Sequence, residues 1–200
     1  MTSDTFPPPT STAQRLCQRF LRTCGWSVAP FPEVDKAIIV GGPHTSNWDG
    51  VLGLTGKTAI GLDAHIMIKE ELFKGPLGAL LRRLGAIPID RSRAAGMVEQ
   101  TVEQFARHDR LYIVVTPEGT RSSASQWKTG FWHIARQAGI PIVVALADYE
   151  SRRIIFPTVM TPGDDLDRDM QQLYEIFASV TPKHPDKLSG PVKAIRENRK

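Results

Sequence analysis

Short apolar runs alternate along the chain with longer segments in which apolar residues recur every three or four positions. The first pattern is typical of buried strands and the second of amphipathic helices. The predicted strands are 36–40, 64–68, 85–91, 111–115, 140–146 and 152–156. The predicted helices are 13–24, 77–84, 94–105, 130–138 and a last one that opens at Asp164 and Asp165. This alternation predicts an α/β fold: a single domain with a mixed, mostly parallel sheet flanked by helices.

The pattern divides the chain into three parts. Residues 1–35 hold a proline-containing lead-in and an amphipathic helix, residues 36–180 hold the α/β domain, and residues 181–200 form a basic C-terminal tail. The apolar positions of the first helix share one face, and they are Ala13, Leu16, Cys17, Phe20, Leu21 and Cys24. A helix with this face and several arginines can lie in a membrane interface or dock on the protein's own core, and both interpretations stay open.

Composition and charge narrow the class of protein. A chain of 200 residues with an ordinary composition fits one globular domain. Two cysteines argue against a disulfide framework and favour a reducing compartment. The net charge of +4 is concentrated at the two ends of the chain, which can be solvated or can contact an anionic surface. With no long apolar run and no secretory signal, we expect a cytoplasmic protein with at most peripheral contact with the inner face of the cell membrane.

Polar residues follow three of the predicted strands directly. His44 and Asp49 follow the first, Asp90 and Arg91 end another, and the segment 118–121 follows the strand 111–115. Because ligands of α/β proteins gather at the carboxyl ends of parallel strands, we expect these three loops to meet at one rim of the sheet.

The pair His44 and Asp49 carries the clearest candidate chemistry. A carboxylate that fixes an imidazole makes a general base, provided that the chain turns at His44 so that the two side chains can meet. The alternative is that Ser46 or Asn47 caps a helix whose dipole Asp49 merely complements. The local sequence leaves both interpretations open.

Four blocks occur in a fixed order: His44-x-x-x-x-Asp49, Gly85–Arg91, Pro117–Ser122 with the sequence PEGTRS, and Gly139–Pro141. In this order they resemble the motif blocks of the glycerolipid acyltransferases typified by 1-acyl-glycerol-3-phosphate acyltransferase, and in particular those of small bacterial members. The resemblance covers roughly residues 36–148. It implies the α/β fold of the glycerol-3-phosphate acyltransferase type.

The resemblance also implies an activity in phospholipid biosynthesis. Family members move a fatty acyl group from acyl-CoA or acyl carrier protein to the hydroxyl of a lysophospholipid such as lysophosphatidic acid, with no metal, no resident cofactor and no covalent acyl-enzyme. It implies that His44 is the general base and that Asp49 orients it. The implied substrate-binding residues are Lys69, Arg91, Glu118, Gly119, Thr120 and Arg121. The two arginines are expected to grip a phosphate, although Arg91 can instead pair with Asp90 or Glu118.

The sequence departs from the family pattern at one point, and a rival interpretation without catalysis stays open. Val144 and Ala145 stand where relatives often carry a second proline, which bears on the acyl chain and the donor and leaves the His–Asp chemistry intact. The rival is a non-catalytic basic module that binds phospholipid head groups, favoured by the charged ends. Nucleic acid is not expected as a partner, because the chain has neither an aromatic–basic strand motif nor a basic recognition helix.

Overall fold

A computed structural model describes residues 6–76, 78–79, 85–89 and 94–199. Within these ranges the helices are α1 (Thr12–Thr23), α2 (Asn47–Ala59), α3 (Ala94–Arg107), α4 (Gly130–Ala138), α5 (Leu166–Phe177) and α6 (Gly190–Asn198). The strands are β1 (Ser27–Val28), β2 (Lys36–Gly42), β3 (Ala64–Lys69), β4 (Ala86–Ile89), β5 (Leu111–Val115), β6 (Ile142–Asp148) and β7 (Arg153–Met160). Short 3-10 turns cover Glu70–Phe73 and Pro185–Lys187. The helix predicted over 77–84 and the charged end of β4 at Asp90 and Arg91 fall largely or wholly outside the described residues.

The seven described strands form one sheet in the order β1-β7-β6-β2-β5-β3-β4. Every neighbouring pair is parallel except β6 and β7, which are antiparallel. Only the residues 149–152 separate these two strands, so the connection is a short turn, which joins antiparallel neighbours. The predicted fold class, an α/β domain with a mixed and mostly parallel sheet, is confirmed.

The central strand β2 divides the core between the two faces of the sheet. Its Ile38 and Val40 point into the main cluster beneath α4 and α5, whereas Ala37 and Ile39 point into a cluster on the opposite face. All four side chains are at most 3% exposed. Since successive strand residues face opposite sides, a continuous apolar run is what a strand covered on both faces requires.

Helix α1 packs on α2 through a face that the sequence pattern did not predict. Its buried residues are Gln14, Gln18 and Leu21, while Leu16 is 62% exposed and Phe20 is 38% exposed. The amides of Gln14 and Gln18 both donate to the carbonyl of Ala59, at 3.2 and 2.8 Å. The last carbonyls of a helix lack intrahelical donors. Two buried glutamines therefore satisfy the end of α2, and this turns part of the apolar face of α1 outward.

The C-terminal segment is more than the basic tail that the sequence suggested. Val192 of α6 is 1% exposed and belongs to the main core cluster, as does Leu188. The indole N–H of Trp127 donates to the hydroxyl of Ser189 at 2.9 Å. The described core thus extends past residue 180, and β1 extends the sheet to residues before 36.

The end of β2 approaches helix α5 closely, and this approach sets the path of the chain into the site. A Cβ atom at Gly42 would lie 2.2 Å from the Phe177 ring, which is fully buried. At the neighbouring Gly41 the nearest atom would be 3.8 Å away. Gly42 is therefore needed where the chain leaves the sheet toward His44.

Candidate active site

Two of the three polar loops meet at the carboxyl edge of the sheet. His44 follows β2 and Glu118 follows β5, and these strands are parallel neighbours whose register pairs Val40 with Val115. The predicted meeting of these two loops at one rim is confirmed. Lys69 ends β3 on the far side of β5, but its side chain is not described. Arg91 lies outside the described residues, so its predicted part in the site stays a prediction.

The structure brings the ring of His44 and the carboxylate of Asp49 together. His44 lies in the loop before α2 and Asp49 lies in the first turn of that helix, with Nδ1 of the ring 3.8 Å from Oδ2 of the carboxylate. The two side chains are 21% and 7% exposed. This distance is longer than a hydrogen bond and within the range of an ion pair once the ring is protonated.

Asp49 also caps the helix on which it lies. Ser46 is the N-cap residue, and the side chains of Ser46 and Asp49 form a capping box. Oδ2 of Asp49 accepts the backbone N–H groups of Thr45 and Ser46, each at 2.7 Å. The two interpretations that the sequence left open therefore describe the same carboxylate, which caps α2 and faces the imidazole.

The environment of His44 favours the neutral ring. Burial lowers the pKa of His44, the carboxylate of Asp49 opposes that shift, and the positive charge of Arg121 adds to it. A neutral imidazole has a nitrogen that can accept a proton. Since Nδ1 faces Asp49, Nε2 is the nitrogen placed for that task.

Glu118 ties the two loops to each other. Its Oε1 accepts the backbone N–H of His44 at 3.0 Å, across 74 residues of sequence. The side chain is buried, and within the described residues its Oε2 has no hydrogen-bond partner. Burial raises the pKa of Glu118 to about 7, an effect that the charge of Asp49 reinforces and the hydrogen bond from His44 opposes. Through this hydrogen bond Glu118 holds the backbone of His44 in position.

Gly119, Thr120 and Arg121 follow Glu118 in the PEGTRS block and are exposed. Gly119 has a φ of +65°, which favours glycine, and a Cβ atom there would lie 3.1 Å from Cε of Lys128. Thr120 accepts the N–H of Ser122 at 3.2 Å. The exposed guanidinium of Arg121 donates to the side-chain oxygen of Asn47 at the start of α2. Arg121 is therefore held close to the His–Asp pair.

Two functional candidates were missed by sequence reasoning. Lys128 contacts Gly119 and lines the same cavity as His44, and its only sequence signal is its place between the PEGTRS block and α4. Tyr149, in the turn between β6 and β7, donates its hydroxyl to Oδ1 of Asp49 at 2.5 Å. Nothing local to Tyr149 points to that contact, because 100 residues separate the two positions.

A cavity of about 730 Å³ opens beside the pair, within the range of volumes that small-molecule sites show. Its polar lining includes His44, Asp49 and Lys128. Apolar and small residues line much of the remainder, among them Ile39, Gly53, Leu54, Ile66, Met97, Phe131, Ile134, Leu146, Ile154 and Phe156. The site therefore joins a His–Asp pair, a lysine and an apolar compartment.

Among the described residues, no group of three or more His, Cys, Asp or Glu side chains is arranged to hold a metal ion. In the same part of the chain, no helix combines the length and the apolar character needed to cross a bilayer.

The fold and the site define an α/β protein with a His–Asp pair at the carboxyl edge of its sheet, and three comparisons place it. The model of the Acyltransferase family matches residues 27–146. The 1-acyl-sn-glycerol-3-phosphate acyltransferase of Escherichia coli (strain K12) is 31% identical over 118 residues, which is 56% of this chain and 46% of that protein. This chain belongs to the acyltransferase family, as its motif blocks predicted.

A solved structure supports the fold. The crystal structure of the 1-acyl-sn-glycerophosphate (LPA) acyltransferase, PlsC, from Thermotoga maritima matches 94% of this chain and 78% of that one, with a TM-score of 0.60 and 15% identity. At this identity the match concerns the fold. The chain spans about half the length of the curated E. coli relative that it matches.

The raised pKa of Glu118 predicts that the free energy of unfolding decreases as the pH rises. In the unfolded chain this carboxyl ionises near its ordinary pKa of 4.5, and in the folded protein near about 7. The folded state holds the extra proton in this window, so stability falls as the pH rises through it, by on the order of 3 kcal/mol. Glu118→Gln keeps an oxygen for the His44 N–H and removes the charge, so its free energy of unfolding should vary less with pH.

Chemical denaturation from about pH 5 to about pH 8 measures this difference. The matched control is Glu99→Gln, which alters an exposed carboxylate on α3 and should follow the wild-type curve. Parallel curves for Glu118→Gln and the wild type would show that Glu118 does not carry the linkage.

Proposed function

We propose that this protein transfers a fatty acyl group from the thioester of acyl-CoA or acyl carrier protein to the hydroxyl of a lysophospholipid, as a step of phospholipid biosynthesis. The observation that carries the proposal is the His44–Asp49 pair at the mouth of a largely apolar cavity of about 730 Å³. Membership of the acyltransferase family supports it, and so do the names of the E. coli and T. maritima proteins.

In the proposed reaction His44 transfers one proton from the acceptor hydroxyl to the leaving thiolate. Nε2 of His44 accepts the proton of the acceptor hydroxyl while the hydroxyl oxygen attacks the thioester carbonyl carbon. The imidazolium that forms is stabilised by Asp49, 3.8 Å from Nδ1. When the tetrahedral intermediate collapses, the carbon–sulfur bond breaks and the imidazolium gives its proton to the leaving thiolate. The products are an ester and a free thiol, and His44 is neutral again.

The site offers an apolar part for the acyl chain and a cationic part for a phosphate group of the acceptor. The apolar lining offers a compartment for an acyl chain, since burial of methylene groups is favourable. The guanidinium of Arg121 and the ammonium of Lys128 offer cations for a phosphate on the acceptor. Arg91 and Lys69 remain predicted contributors to the same grip. The reaction as proposed uses no resident cofactor.

The exposed apolar side chains of α1 and α2 support a peripheral contact with the membrane that holds the acceptor. On two helices that pack together, Leu16 and Phe20 of α1 and Trp48, Val51 and Leu54 of α2 are each at least 37% exposed. Leu54 also lines the cavity. The arginines of α1 are exposed as well, which favours anionic lipids. A contact through this surface would bring the cavity close to lipid.

Replacement of His44 tests the reaction. His44→Ala should lower kcat for acyl transfer from acyl-CoA to lysophosphatidic acid by about a hundredfold to ten-thousandfold, because the proton of the hydroxyl loses its acceptor. Release of free thiol and formation of the ester are measured together. His133→Ala, which removes an exposed histidine on α4, is the matched control and should keep the wild-type rate.

A His44→Ala protein that folds, binds lipid and retains the full rate would contradict the enzyme mechanism. A folded wild type that binds lipid and shows no acyl transfer would instead favour the non-catalytic lipid-binding module.

Replacement of Arg121 tests the phosphate grip. Arg121→Ala should raise KM for lysophosphatidic acid by about tenfold to a hundredfold, because a charge-assisted contact is lost, and should change KM for the acyl donor by no more than about twofold. Arg121→Lys keeps the charge but cannot pair with two phosphate oxygens at once, so its KM for lysophosphatidic acid should lie between those of the wild type and Arg121→Ala. Equal changes in both KM values would remove Arg121 from the acceptor site.

Replacement of the exposed apolar residues tests the membrane contact. Leu16→Ser combined with Phe20→Ser should weaken sedimentation with phosphatidylglycerol vesicles by roughly tenfold, because the apolar area that would enter the interface is removed. Val159→Ser removes a side chain that is 44% exposed on β7, outside α1 and α2, and serves as the control. If the double variant sediments like the wild type, α1 does not bind the membrane.

A further inference from the structure

The carboxylate of Asp49 has a third donor that the helix does not supply. Oδ2 accepts the backbone N–H groups of Thr45 and Ser46, and it is also the oxygen that lies 3.8 Å from the His44 ring. Oδ1 accepts the hydroxyl of Tyr149 at 2.5 Å. The two oxygens are therefore held by donors from different parts of the chain.

This arrangement fixes the plane of the carboxylate. With donors on Oδ2 alone, the group could turn about the bond between Cβ and Cγ, since terminal torsions of this kind have broad minima. A donor on Oδ1 removes that freedom. Because Oδ2 faces His44, the rotation that Tyr149 prevents is the one that would move this oxygen away from the imidazole.

Tyr149 is itself held from two sides. Its ring packs edge to face against Trp26, with centroids 5.0 Å apart and planes at 84°, and Trp26 is 9% exposed. Its backbone N–H donates to the carbonyl of Thr181 at 2.8 Å. Burial, with the nearby Asp49 carboxylate, raises the pKa of Tyr149, so the hydroxyl keeps its proton and acts as the donor. A fixed phenol can position its partner.

We propose that Tyr149 is a positioning residue of the acyl-transfer site, whose hydroxyl orients Asp49 and through it the His44 ring. The inference rests on the proposed function for its kinetic consequence and on the hydrogen bond alone for its effect on His44. Tyr149 touches no reacting atom. It acts by holding the carboxylate where the imidazolium forms, so its removal reduces the rate of the chemical step more than substrate binding.

The other groups that face the pair make contacts that do not involve the Tyr149 hydroxyl. Glu118 accepts the His44 N–H, Arg121 contributes a positive charge, and the backbone N–H of His184 donates to the hydroxyl of Thr45 at 3.3 Å. A change seen on removal of the hydroxyl therefore belongs to its contact with Asp49.

The test is Tyr149→Phe in the full chain, with Tyr112→Phe as the matched control. The hydroxyl of Tyr112 also donates at 2.5 Å, but to the carbonyl of Val34. Palmitoyl-CoA and lysophosphatidic acid serve as substrates. Tyr149→Phe should lower kcat about tenfold to a hundredfold, with both KM values within about twofold. The acidic limb of its pH–rate profile should move to lower pH, because a carboxylate that is free to turn away from the ring raises the pKa of His44 less. Tyr112→Phe should change neither quantity.

Titration of the His44 ring by NMR gives the same answer without an assay of activity. Its pKa should be lower in Tyr149→Phe than in the wild type and unchanged in Tyr112→Phe. A wild-type rate and an unmoved His44 titration in Tyr149→Phe would overturn the inference and leave the proposed function intact, provided that His44→Ala is inactive. Equal losses of kcat in both tyrosine variants, with unmoved pH profiles, would also overturn it. An inactive wild type would refute the proposed function, while the titration would still decide the role of Tyr149.

Discussion

The site depends on the hydrogen bonds that converge on the carboxylate of Asp49. This group closes the N-terminus of α2 through the N–H groups of Thr45 and Ser46, receives the hydroxyl of Tyr149, and faces the ring of His44. The negative charge lies where the first turn of a helix favours it. One residue therefore serves both folding and the proposed chemistry, and the start of α2 and the geometry of the base cannot vary independently.

The sheet supplies the rigid frame for this carboxylate. The parallel pairing of β2 with β5 and β6 places the His44 loop and the PEGTRS loop side by side, and the hydrogen bond from His44 to Glu118 joins them. Contact of Gly42 with the Phe177 ring fixes the exit from β2. A site that opens toward an apolar cavity and rests on buried strands gains precision from the core, which is what general base catalysis requires.

Local sequence patterns predicted the strands and several site residues. They did not predict features that depend on contacts between residues far apart in the sequence. Six of the seven described strands were predicted because runs such as 111–115 are apolar throughout, whereas the two-residue strand β1 was missed. His44, Asp49 and Glu118 were identified because they follow such runs and belong to the motif blocks. The face through which α1 packs on α2 was not predicted, since Gln14 and Gln18 satisfy the carbonyl of Ala59 and no pattern of apolarity reports that need. Tyr149 was missed for the same reason, because a hydroxyl that reaches across 100 residues leaves no periodic signal.

The central claim is that His44 and Asp49 act as one unit, and a double-mutant cycle tests it most directly. Asp49→Asn keeps an oxygen for the N–H groups that cap α2 and removes the charge that faces His44. Acyl transfer is measured for the wild type, both single variants and the double variant. We predict that Asp49→Asn lowers kcat/KM on the order of a hundredfold when His44 is present and has little further effect in the His44→Ala background. Losses that multiply in the double variant would contradict the account.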